Sequence, residues 1–284
     1  MDMKSSYRLT LVLLATLMLG AIIAPTQSHA GAWSQKKGHY YTKFSAIFYR
    51  ADEAFDADGH KGHLSDLDDT FKSDQTFFYL EYGLSKRLTL VSQLSSGTLT
   101  TENNLGRQRT TDVGDFNIGG KYQLVDGPFI LSPYATLKIP AGYDQRAAPP
   151  LGTGDTDLEL RLLAARSLHP LPLYLGVEGG YRFRGGPFSN QIPYFFEVGA
   201  TPHEKVFVKV YLEGKNTLTS GSGNMDAMDS MSTQVSEGDF RKIGFNAAYN
   251  VSGVLWADLL YDTIFTGKNS GAGRSFGIGL SYIY

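Results

Sequence analysis

His60 and His63 stand three residues apart in an acidic stretch, with Ser65, Asp66 and Asp68 just behind them. An imidazole within hydrogen-bond reach of a water or hydroxyl can act as a general base, and a serine beside it can become a nucleophile. The same stretch, from Asp56 to Asp69, offers carboxylates and imidazoles to a divalent cation. It lacks the Asp-x-Asp-x-Asp-Gly spacing and the distal Glu of a calcium loop. Met225, Met228 and Met231 recur at every third position, and thioethers are soft ligands for Cu(I). Gly152-Thr153-Gly154-Asp155 has the look of a phosphate loop, but no lysine follows and no helix begins. Each group has a plainer reading: polar loops solvated by water, or a loop touching apolar neighbours. No catalytic residue, metal site or cofactor is assigned, and an enzyme is not expected.

The more informative chemistry lies in charges that alternate with apolar residues. Asp115, Asn117, Lys121 and Gln123 alternate with Phe116, Ile118, Tyr122 and Leu124. Asp157, Glu159 and Arg161 alternate with Leu158, Leu160 and Leu162, and Glu178, Arg182 and Arg184 with Val177, Tyr181 and Phe183. Lys209, Tyr211, Glu213 and Lys215 alternate with Val208, Val210 and Leu212. In the same phase fall Lys43, Glu81, Lys138, Glu197, Lys242, Asp258 and Asp262. Period-two alternation marks strands with two unlike faces. A charge on the lipid face of a membrane barrel costs about 2–4 kcal/mol near the midplane for Arg or Lys. The one-sided charges therefore face inward. Acids and bases balance in this set, which argues against a strongly ion-selective pore. They form either a cross-lumen ion-pair network or a polar ladder lining a solute path; the balance favours the network, with a path beside it.

These residues need a closed sheet to hold them. The last stretch, Arg274 to Tyr284, alternates throughout: Phe276, Ile278, Leu280, Tyr282 and Tyr284 point one way, and glycines and a serine the other. Its aromatic end resembles the terminal strand by which outer-membrane barrels are recognised and closed. Between His39 and this stretch, segments joined by short turns alternate with segments joined by long polar loops. One such loop is expected at 97–109. Transmembrane barrels have an even strand number, short turns on one side and longer loops on the other. The expected fold is all-β: a transmembrane antiparallel up-and-down β-barrel of about twelve strands, intermediate in bore.

Composition fits. Lys4 and Arg8, an apolar run from Leu9 to Ile23 and Ser28-His29-Ala30 read as a secretory signal peptide over 1–30, cut before Gly31, with the barrel over 31–284. There is no cysteine, so thiolate sites and disulfides are excluded. A net charge of −2 gives no footprint for nucleic acid.

Glu81-Tyr82-Gly83-Leu84, Arg87-Leu88-Thr89-Leu90, Gly114-Asp115 and Gly152-Thr153-Gly154-Asp155-Thr156-Asp157 resemble the outer-membrane proteins grouped as the "MetA-pathway of phenol degradation" family. The resemblance implies a transporter for aromatic or other small hydrophobic compounds. The expected function is a channel for passive or facilitated uptake of small molecules, with loops Ala51–Ser73, Ala141–Gly154 and Asn216–Glu237 gating entry. Arg161, Glu178, Arg182, Lys209 and Glu213 would form the constriction or its network. The alternatives are a non-conducting structural or surface-interaction barrel, and a rim-located enzyme. Expected partners are outer-membrane lipid and lipopolysaccharide, the barrel assembly machinery and a small solute.

Overall fold

The computed structural model describes residues 31–64, 69–218 and 237–284, with the backbone alone at 228–229 and 234–235. Segment 1–30, Ser65, Asp66, Asp68 and most of loop 216–237, with Met225, Met231 and the side chain of Met228, lie outside the described residues. Twelve antiparallel strands close into one barrel. They are β1 (Tyr40–Ala51), β2 (Thr70–Gly83), β3 (Leu88–Asn103), β4 (Gly106–Tyr122), β5 (Phe129–Ile139) and β6 (Asp157–Ser167) in the first half. The second half has β7 (Leu173–Phe183), β8 (Gln191–His203), β9 (Val206–Thr217), β10 (Asp239–Asn250), β11 (Leu255–Lys268) and β12 (Arg274–Ile283). Each strand pairs with its neighbours in sequence, and β12 pairs with β1 from Tyr41↔Ile283 to Arg50↔Arg274.

The closing strand shows why the alternation matters. Phe276, Ile278 and Leu280 are each about half exposed on the outer wall, while Ser275 and Ser281 are buried inside. Tyr284 lies just past the end of β12, yet its N–H still donates to Tyr40 O at 2.9 Å. Tyr40 stacks on Tyr282 and Tyr284, with ring centroids 5.8 and 5.3 Å apart. Amphipathic rings of this kind sit at the membrane–water boundary.

The long-loop end differs from expectation in three ways. The stretch 97–109 is not a loop. β3 runs to Asn103 and β4 starts at Gly106, paired through Leu99↔Thr110 and Thr101↔Gln108. Thr98, Thr100, Thr101, Thr110 and Thr111 are β-branched and favour strand. Asn103 Oδ1 accepts from the N–H groups of Leu105 and Gly106 at 2.9 and 3.1 Å, which closes the tight turn. The stretch reads as polar because it projects beyond the apolar band.

The loop after β1 is also partly ordered. Short strands at Glu53–Phe55 and Lys61–His63 form a three-stranded sheet with Ser270–Gly271. Finally, Arg50, Lys72, Asp74 and Arg274 point outward at the ends of their strands, against the all-inward phase. Near a strand end a charge reaches the interface, where its cost falls to roughly 0–1 kcal/mol.

Candidate functional site: the barrel lumen

All fourteen inward candidates line the interior, each in an ion pair. On the β4–β7 side, Lys138 Nζ lies 3.0 Å from Asp157 and 3.5 Å from Asp115. Glu159 accepts from Arg161 and, at 2.6 Å, from Arg182. The other arm of Arg161 reaches Glu178 at 3.0 Å. On the β8–β1 side, Lys209 pairs with Glu197 at 2.9 Å, Lys43 with Asp258 at 2.5 Å and Lys242 with Glu213 at 3.1 Å. Toward the short-turn end Lys121 holds Glu81 at 2.8 Å. Arg161, Glu178 and Arg182 thus share one cluster through Glu159, whereas Lys209 and Glu213 belong to two other pairs. Removing one partner from a buried pair leaves an uncompensated charge, so the members constrain each other.

Aromatic rings fill the gaps between charges. Phe195 stacks on Tyr211 at 5.5 Å, and Lys209 Nζ lies 5.5 and 5.6 Å from the two ring centres, within cation–π range. Tyr174 stacks on Phe207 at 6.3 Å. Two inward glycines make this possible. A side chain at Gly199 would collide with the Tyr174 ring, and one at Gly244 with the Tyr211 ring. In both cases glycine and tyrosine are directly opposite on neighbouring strands.

Both ends of the lumen are occupied by the chain itself. The short-turn end holds residues 31–38, a segment to which the sequence pattern assigns no role. Lys121 Nζ donates to Gly31 O at 2.8 Å, and Ser132 Oγ to Ala32 O at 2.6 Å. The Ser34 N–H donates to Gln123 Oε1 at 2.9 Å, and the Gln35 N–H to Thr89 Oγ1 at 2.8 Å. Gln35 Nε2 reaches Glu81 at 2.8 Å. Ala32 packs against Ile130, Leu163 and Ala165, and Trp33 meets Tyr174 edge-on at 5.8 Å. A Cβ on Gly31 would lie 2.6 Å from Glu178 Oε1, so a side chain there would make that carboxylate shift. The apolar Ala32-Trp33 pair, just after the expected cleavage position, was the available signal.

The long-loop end carries an apolar cap. Tyr49, Phe71, Leu99, Phe240 and Ile264 from the strands cluster with Phe55, Tyr143 and Leu151 from the loops, and all are buried. The cap forms because the wall is uneven. β5 stops at Ile139, opposite Phe116, while β4 continues past it. The chain turns inward over the short side, where Tyr143 donates to Asp115 Oδ1 at 2.8 Å and accepts from the Gly154 N–H at 2.9 Å. Lys138 Nζ donates to Thr153 Oγ1 at 2.9 Å. Of the three loops expected to gate, Ala141–Gly154 enters the mouth, and the stretch Ala51–Ser73, whose last residues belong to β2, supplies Phe55 from the loop and Phe71 from the strand.

Along the β2–β7 wall of the lumen lies a cavity of about 180 Å³, lined by Tyr79, Tyr134, Thr136, Lys138, Glu159 and Arg182 among others. Its walls are hydroxyls and rings interrupted by paired charges, a mix suited to a small solute with both apolar and polar parts.

The histidine loop lies outside this chamber. Asp56, Asp58 and His60 have ligand atoms within 4.8 Å of one another and are exposed. Asp56 Oδ1 accepts from the His60 and Asp58 N–H groups at 2.8 and 2.9 Å, and the first of these holds its carboxyl below the usual range. Its arrangement serves the turn that returns the chain into the small sheet.

No known family description matches the chain, and no curated protein matches it in sequence. Solved structures do. The outer membrane channel from Pseudomonas putida F1 is 16% identical over 90% of this chain and 99% of that one, with a TM-score of 0.72. The NanC porin is 10% identical over 85% and 98%, at 0.52. The translocator domain of the autotransporter NalP from Neisseria meningitidis is 11% identical over 99% and 98%, at 0.51. At these identities the likeness is one of fold: this chain has the twelve-stranded barrel architecture of outer-membrane proteins.

Proposed function

We propose that the chain is an outer-membrane channel for small molecules, exported by a signal peptide cut before Gly31. Its own segments gate it at both ends. The supporting observation is the lumen itself: it holds a polar and aromatic cavity, and its two ends carry the N-terminal segment and the apolar loop cap. A barrel meant only as a structural stave has no need for such a cavity in its lumen. The paired charges give the lumen a near-neutral balance, and the rings of Tyr79, Tyr134, Phe195 and Tyr211 favour solutes with an aromatic or apolar part. Both the resemblance at Glu81–Leu84 and Gly152–Asp157 and the likeness in fold to the Pseudomonas putida outer membrane channel are in keeping with this reading. Its partners are outer-membrane lipid including lipopolysaccharide, the barrel assembly machinery and the solute itself. Nucleic acid, cofactors and catalysis have no part in it.

The filled ends also favour a second reading, a barrel that does not conduct and whose loops bind a partner. Planar-bilayer recording on the refolded chain 31–284 separates them. Discrete conducting steps support the channel. A folded, heat-modifiable barrel that stays silent both as it stands and with residues 31–38 removed supports the second reading.

A further inference from the structure

Four cations form a lateral row on the outer wall. Arg109 of β4 is opposite Thr100 of β3, Thr100 is opposite Lys72 of β2, Lys72 is opposite Arg50 of β1, and Arg50 is opposite Arg274 of β12. Directly paired residues of antiparallel strands share a face, and this face is the outer one. At about 4.8 Å per strand the row spans roughly 19 Å of wall. Like charges set directly opposite destabilise a sheet, so a run of them calls for counter-charge. The wall supplies only part of it: Asp74 lies 2.5 Å from Arg50, and Glu102 lies 3.3 Å from Lys72. Among the described residues neither Arg109 nor Arg274 is paired with a carboxylate. Two residues further toward the middle of the wall the face is apolar on β12 and β1, at the cross-strand pair Phe276 and Phe48, while β2, β3 and β4 carry Asp74, Thr98 and Thr111 there.

We propose that this row docks the phosphate groups of a phosphorylated glycolipid headgroup in the outer leaflet. The assignment rests on the membrane orientation in the functional reading, with the long-loop end outward. Guanidinium groups bind phosphate through paired N–H donors. The length of the row suits a headgroup carrying more than one phosphate better than a single free anion. Phe48 and Phe276 lie where the acyl chains of such a lipid would descend along the wall. Nothing comparable is needed to bind inorganic phosphate, which would have no use for the apolar surface below.

The test is native mass spectrometry of the full chain 31–284 refolded in detergent. It is titrated with bisphosphorylated lipid A, with the same lipid after phosphatase treatment, and with inorganic phosphate. A variant carrying Arg50→Gln, Lys72→Gln, Arg109→Gln and Arg274→Gln is compared with Arg166→Gln, an exposed cation elsewhere on the wall. Arg50, Arg109 and Arg274 are exposed and Lys72 is half-buried, and heat-modifiability on a gel confirms folding. The proposal predicts that the quadruple variant binds bisphosphorylated lipid A at least about tenfold more weakly than the unaltered chain and than Arg166→Gln. Dephosphorylation of the lipid should produce the same loss. Equal binding by all three chains overturns it, and so does competition by inorganic phosphate at the affinity of the lipid. Since conductance plays no part in the assay, a conducting barrel that fails it removes the docking site and leaves the channel reading in place.

Discussion

Lys121 Nζ donates to the carbonyl of Gly31 and to the carboxylate of Glu81, both at 2.8 Å. One buried ammonium on β4 thus ties the N-terminal segment to the wall and at the same time neutralises a luminal acid. Segment and network form one unit: withdrawing residues 31–38 removes a ligand from Lys121, a donor from Glu81 and the cover from Trp33's neighbour Tyr174.

Lys121→Met should therefore both destabilise the barrel and loosen its lower closure. Glu81 would be left buried without its cation, a loss of about 3–5 kcal/mol. Combining it with Glu81→Gln should recover much of that stability while leaving Gly31 untethered. Urea unfolding in detergent, followed by heat-modifiability, reads the first effect; the frequency of conducting steps in the double variant reads the second. A double variant no more stable than the single one would show that the pair is not coupled.

Arg161 joins Glu159 to Glu178; Glu159 has a second partner in Arg182, whereas Glu178 is paired with Arg161. Arg161→Met is expected to cost about 3–5 kcal/mol, and Glu159→Gln combined with Arg161→Met considerably less than the sum of the two alone. Unfolding midpoints of the three variants test this; additive losses would dissolve the cluster into independent pairs.

Gly199→Val places a branched side chain where the Tyr174 ring lies. Overpacking of this kind costs about 1–3 kcal/mol. Because Tyr174 stacks on Phe207 and meets Trp33, the same change should increase cleavage at residues 31–38 by an added protease. Unchanged cleavage would mean that the ring stack does not hold the segment.

Tyr143→Phe deletes the hydroxyl that bridges Asp115 and Gly154. A hydrogen bond to a charged group contributes about 1.5–3 kcal/mol. The apolar packing of the ring remains, so the barrel should stay folded while the cap opens more often. Longer open times in bilayer recordings are the expected result, and identical dwell times would remove loop 140–156 from the gate.

The luminal face was legible because it is written locally. Whether Glu159 and Arg161 point in or out follows from period two and from the cost of a charge in lipid, and neither needs knowledge of the rest of the chain. The closure of β12 on β1 was legible from the alternation of short and long connections. What decides the lumen's closures is long-range. Ser34 finds Gln123 and Ala32 finds Ser132 across most of the first half of the chain, and residues 31–38 have no periodicity to announce it. The cap depends on β5 ending at Ile139 while β4 continues, a mismatch visible only once the strands are paired. The stretch 97–109 misled for a related reason: beyond the apolar band the alternation rule relaxes, and threonine-rich strands resemble a polar loop. The same relaxation hid the outward row at Arg50 and Arg274.

The central claim is that residues 31–38 close a real water path. Single-channel conductance of the refolded chain 31–284 against the chain starting at His39, in the same planar bilayer, tests it most directly. The account predicts small, brief steps for the longer chain and larger, sustained ones for the shorter. A shorter chain that folds, shifts on heating and yet conducts no more than the longer one would contradict it.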